Sequence, residues 1–123
     1  MIARNKNCDY TLRSVLGLNL DEAQLFLLIV CSGKMSVSKI AETCNWSIDQ
    51  AVQCSRMLAE KGMFIEIKAD EFESLHPRFA LSNRYNRRCS ELGIEYRRND
   101  RVDSLAIYLE KYYDLARTKQ IYK

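Results

Sequence analysis

MSVSKIAETCNWSIDQAVQCSRMLAEKG, residues 35–62, spells two short amphipathic helices joined by a tight turn, and the rest of the chain is arranged around that pair. In the first helix Val37, Ile40, Ala41 and Cys44 recur at helical spacing, and Ser36 stands before them as an N-cap. The second carries Ile48, Ala51, Val52, Ser55, Leu58 and Ala59 as its inward stripe. Ser47 and Gln50 stand at capping-box spacing at its start, and Trp46 is placed to staple onto Ala51. Lys61 in the last turn and Gly62 after it supply the stop. Such a pair is the outline of a helix-turn-helix, whose second helix commonly enters a DNA major groove. Ordinary helix packing produces the same spacing, so the flanks decide between the two.

Upstream, Asn19 and Glu22 repeat the capping-box spacing before the apolar run Leu25 to Cys31, which predicts a buried central helix. Residues Tyr10 to Leu16 are expected to form a short helix, and Met1 to Asp9 a loose arm. Downstream of Gly62 the period changes from helical to alternating. Met63, Ile65 and Ile67 are expected to point inward, with Phe64, Glu66 and Lys68 on the other side. Ala69-Asp70-Glu71 is a polar turn and Phe72 to His76 a returning strand. Three helices followed by a two-stranded hairpin predict a mainly α (α+β) winged helix over residues 16–77, after an arm at 1–15.

Gly17-Leu18-Asn19-x-x-Glu22-Ala23, then Ile40-Ala41-Glu42, then Leu58-x-x-Lys61-Gly62, in that order, resemble the N-terminal domain of the TrmB-like archaeal transcriptional regulators. The resemblance covers residues 16–77 and implies a sequence-specific DNA-binding winged helix that works as a dimer. Larger members continue into a sugar-binding effector domain that this chain is too short to hold, so sugar sensing does not carry over. Asp70, Glu71 and Glu73 in the expected wing would repel phosphate.

The remaining 78–123 is expected to be helical. Pro77 opens a helix with Leu81, Tyr85, Cys89 and Leu92 on one side and Arg84, Arg87 and Arg88 on the other, closed by Gly93. Residues 95–100 are a charged connector. From 101 to 119, Val102, Leu105, Leu109, Tyr112 and Ala116 are spaced three and four apart, an a/d seam that predicts a dimerisation helix. The alternative is that the same stripe folds back onto its own domain.

The 123 residues, 28% charged and 47% hydrophobic with one Pro and four Gly, fit a single helix-leaning globular domain. The net charge of +3 is too small to indicate a nucleic-acid partner alone. Its distribution says more: seven arginines between Arg78 and Arg101 face Glu91, Glu95 and Asp100, beside a neutral stretch from Ser47 to Gly62. A basic shoulder flanking a neutral reading helix fits phosphate contacts around base contacts. Five cysteines without a CxxC, and one histidine, argue for reduced thiols in the cytoplasm and against a metal or any cofactor. Cys54 is expected to face outward, which raises redox sensing as a possibility. No apolar run is long enough for a membrane span, and no nucleophile-base pairing or phosphate loop suggests an enzyme or a catalytic residue.

The expected reading surface is therefore Ser47, Asp49, Gln50, Gln53 and Arg56 on the second helix, with Lys34 and Lys39 nearby. Gln50 and Gln53 suit adenine edges, and Arg56, Lys39 and Lys34 suit phosphates. Asp49 suits a cytosine amino group or the helix dipole. The expected activity is that of a homodimeric transcriptional regulator on double-stranded DNA, with any small-molecule effector open. A protein-interaction module in a transcription or membrane-remodelling assembly is the alternative.

Overall fold

The computed structural model describes residues 6–121, with side chains as far as Thr118. Helix α1 (Lys6–Tyr10) runs into a π-helical turn, Thr11–Val15, and is followed by α2 (Leu20–Ser32), strand β1 (Met35–Ser36), α3 (Val37–Cys44) and α4 (Ile48–Glu60). Strands β2 (Phe64–Lys68) and β3 (Glu71–Ser74) precede α5 (Pro77–Leu92) and α6 (Asp100–Ile121). The result is mainly helical with one small antiparallel sheet of three strands, in the order β1-β3-β2. The helix at residues 6–9 replaces the loose arm expected there; residues 1–5 lie outside the described part. Met35 opposite Phe72 and Ser36 opposite Glu71 form a third strand pair that the alternation did not predict, because two residues are too few to show a period.

Helix α2 is the centre. Asn19 accepts from the Glu22 amide while Glu22 accepts from the Asn19 amide, completing the capping box. Ala23, Leu25, Phe26, Ile29 and Val30 are then fully inaccessible. One continuous core joins them to Leu12 and Leu16 before α2, to Ile40, Ala51 and Leu58 in the helix pair, and to Leu81, Leu105 and Leu109 in the last two helices. Each large side chain so buried contributes roughly 1.5–3 kcal/mol.

This packing overturns the expected dimer seam. Val102, Leu105, Leu109 and Ala116 are buried inside the chain, with Tyr112 packed at the edge of the same core. Helix α6 returns antiparallel to α5, with Arg78 meeting Glu110 and Tyr85 meeting Asn99. It also lies on α2, where the Arg117 guanidinium donates to the Val30 carbonyl at 2.6 Å and stacks on the Tyr113 ring. A 3-4 apolar stripe serves an intramolecular contact as well as an intermolecular one, and here α2 offered the apolar face.

The hairpin also departs from the expected alternation: Met63 and Phe64 are buried, and Ile65 to Lys68 are all exposed. Phe64 takes the core position, 6.4 Å from Phe26, so Ile65 and Ile67 are left 47% and 45% exposed. Met63 is buried for a different reason: its amide donates to the Leu58 carbonyl as part of the stop of α4. Gly62, at φ +82°, makes that stop in the left-handed region.

Candidate nucleic-acid interface

The turn between α3 and α4 is built from Asn45, Trp46 and Ser47. Asn45 adopts the left-handed conformation at φ 59°, which ends α3, and the Trp46 amide closes the turn onto the Ala41 carbonyl at 2.9 Å. Ser47 then caps α4 by accepting from the Gln50 amide at 3.1 Å. Its hydroxyl is thus committed to the helix start. The Trp46 ring packs on the core, as a staple would.

Only half of the expected capping box forms, because the Gln50 side chain turns away from the cap. Its amide nitrogen donates to Asp21 at 3.0 Å, tying the first turn of α4 to the start of α2. Gln50 is therefore a positioning residue rather than a free base reader. At the other end of α4 the Lys61 ammonium lies 2.8 Å from both oxygens of Glu22, which is itself buried. Helical position alone assigns Lys61 to the helix dipole, since nothing local pairs residues 39 positions apart. Two polar ties thus fix α4 on α2.

Between these ties, Asp49, Gln53, Arg56 and Glu60 lie along one exposed line of α4, spaced four, three and four. Lys34 and Lys39 are exposed on the neighbouring segments. Lys39 stands 4.0 Å from Glu42, an exposed contact that costs little to break. Arg56 stands 4.0 Å from Asp70 at the hairpin turn. Ile48, expected to face inward, is half exposed at the first residue of the helix.

Cys54 is the clearest correction on α4. It is 8% exposed and faces α2, where burial, with Glu22 and Asp21 adding to it, pushes its thiol up to about 12. Cys44 is raised too, first by burial and then by Asp21. A thiol buried and held neutral is a poor nucleophile, which argues against the redox role considered for an outward-facing Cys54.

Part of the basic shoulder is engaged within the molecule, and the rest forms exposed ion pairs. Arg84, expected on the solvent side of α5, is 2% exposed and donates to the Leu16 carbonyl at 2.7 Å and to both oxygens of Glu91. Those hydrogen bonds, joined by one from Arg88, hold the Glu91 carboxyl below the usual carboxylate range. Arg87 donates to the Glu60 carbonyl, and Asn83 to the Gly62 carbonyl at 3.0 Å, so α5 caps the C-terminus of α4. Arg78 pairs with Glu110, Arg97 with Glu95 and Arg98 with Asp103, while Arg101 covers the Tyr10 ring. Leu92, placed on the inner stripe of α5 by its spacing, is exposed.

Among the described residues no cluster of His, Cys, Asp and Glu could hold a metal ion, and no helix is long and apolar enough to cross a membrane. Compared with protein-family models, with curated proteins and with solved structures, the chain matches none.

Proposed function

We propose that this chain is a winged helix-turn-helix that binds double-stranded DNA and regulates transcription, as its sequence resemblance to the TrmB-like regulators implies. The observation that carries the reading is the exposed line Asp49, Gln53 and Arg56 on a helix pinned at both ends to α2. A reading helix must be held rigidly while its outer side chains stay accessible to solvent, which supports this role for α4. Gln53 reads a base edge; Arg56, Lys34 and Lys39 contact phosphates. A dimer through the α6 stripe is not carried forward, because that stripe is buried within the chain.

A second reading rests on the hairpin. Ile65 and Ile67 are exposed on a terminal strand of the sheet, beside Glu66, Asp70, Glu71 and Glu73. An apolar edge with acidic neighbours suits a protein partner better than a phosphate backbone.

Amide chemical shifts recorded while a mixed-sequence duplex is added separate the two. The nucleic-acid reading predicts perturbation of residues 34–39 and of Asp49, Gln53 and Arg56, with Ile65 and Ile67 unmoved. A spectrum that duplex leaves unchanged at low salt refutes it and leaves the protein-interaction reading.

A further inference from the structure

Asp70 is held more firmly than a turn residue needs to be. It sits at φ 62°, its amide donates to the Glu66 carboxylate at 3.0 Å, and its carbonyl accepts from the Val37 amide, the first of α3, at 2.9 Å. These constraints fix its backbone between the hairpin and the start of α3, with the side chain 4.0 Å from the Arg56 guanidinium. Arg56 is the one cation on the exposed line of α4, where Asp49 and Glu60 are both acidic. Both members of the pair are more than half exposed, so the contact is open to exchange with solvent ions.

We propose that Asp70 is a tethered competitor for phosphate, an autoinhibitory contact that occupies Arg56 until a nucleic-acid backbone displaces it. The inference rests on the proposed nucleic-acid reading and deepens it. In the free protein the carboxylate neutralises Arg56. On binding, a phosphate takes that place and Asp70 is left beside it, so each encounter carries the loss of one ion pair and one like-charge approach. The contact therefore lowers affinity for any duplex and leaves discrimination between sequences to Gln53.

Asp70→Asn removes the charge and keeps a residue that tolerates the left-handed turn. Wild type, D70N, R56A and R56A/D70N, each checked for an unchanged thermal midpoint, are titrated against a fluorescent mixed-sequence duplex over a series of salt concentrations. D70N is expected to bind about twofold to fivefold tighter at low salt. Its plot of log affinity against log salt should be steeper by about 0.9, because no freed carboxylate takes up a cation as Arg56 meets its phosphate. In the R56A background the same change should give no gain. Unchanged or weaker binding by D70N overturns the competition, as does an equal gain without Arg56. If wild type shows no salt-dependent binding to duplex at all, the nucleic-acid reading fails and the competition with it.

Discussion

Lys61 and Glu22 show how much a single side chain decides here. Glu22 both closes the capping box of α2 and receives the Lys61 ammonium at 2.8 Å, so Lys61→Ala leaves a buried carboxylate without its cation. A loss of about 3 kcal/mol is expected in urea unfolding; a loss under 1 kcal/mol would mean that water replaces the ammonium. Cys54 sets a pH limit. Its folded thiol titrates near 12 and its ordinary value is 9.0, so the folded state keeps the proton longer than the unfolded one. The stability this contributes is whole below pH 9 and is lost as pH rises from 9 towards 12. The urea midpoint of the wild type should therefore fall more steeply above pH 9 than that of Cys54→Ala; parallel curves would refute the burial argument. Gly17 is a third such residue. At φ +70° with the Arg88 guanidinium 2.8 Å from where a Cβ would stand, Gly17→Ala should cost about 1–2 kcal/mol, read as a lowered thermal midpoint.

At the scale of elements, what could be read from the sequence was what local chemistry controls. The caps at Asn19, Ser36 and Ser47, the stops at Gly62 and Gly93 and the Pro77 start all depend on neighbours within a few residues, and all stand where spacing put them. Choices between equivalent partners could not be read. The α6 stripe is equally suited to another copy or to α2, and only the three-dimensional arrangement assigns it. Arg84 looked like its neighbours Arg87 and Arg88 until Leu16, 68 positions away, supplied a buried carbonyl. Strand β2 reads as an alternation in sequence, but only Phe64, against Phe26, is buried along it. The site was legible to the same degree: exposed Asp49, Gln53 and Arg56 follow from helical period, whereas the capture of Gln50 by Asp21 does not. Leu109→Ala should accordingly remove about 2–5 kcal/mol of stability and leave the sedimentation coefficient unchanged. A change in association state with little loss of stability would restore the dimer seam.

For the whole molecule, the net charge of +3 overstates what is available to a polyanion. Arg84, Arg87 and Arg88 of α5 are tied to Glu91 or to the end of α4, so on the proposed reading phosphate contact falls mainly to the cations on and beside α4: Lys34, together with Lys39 and Arg56, whose ion pairs are exposed. Affinity should therefore depend on salt only moderately, with a slope of about −2 in log affinity against log salt, one counterion each for Lys34 and Lys39 while Asp70 offsets Arg56. On the proposed reading, specificity rests on few base contacts, with Gln53 at the centre of the exposed line. The central claim is that α4 reads duplex DNA, and the most direct measurement is selection by the protein from a random duplex pool at moderate salt, with the retained sequences counted for wild type and for Gln53→Ala. The account predicts one enriched motif for wild type, with preference lost at a single position and affinity reduced by about 1–3 kcal/mol in the variant. Retention without enrichment, or the same motif at the same strength from both proteins, would contradict it.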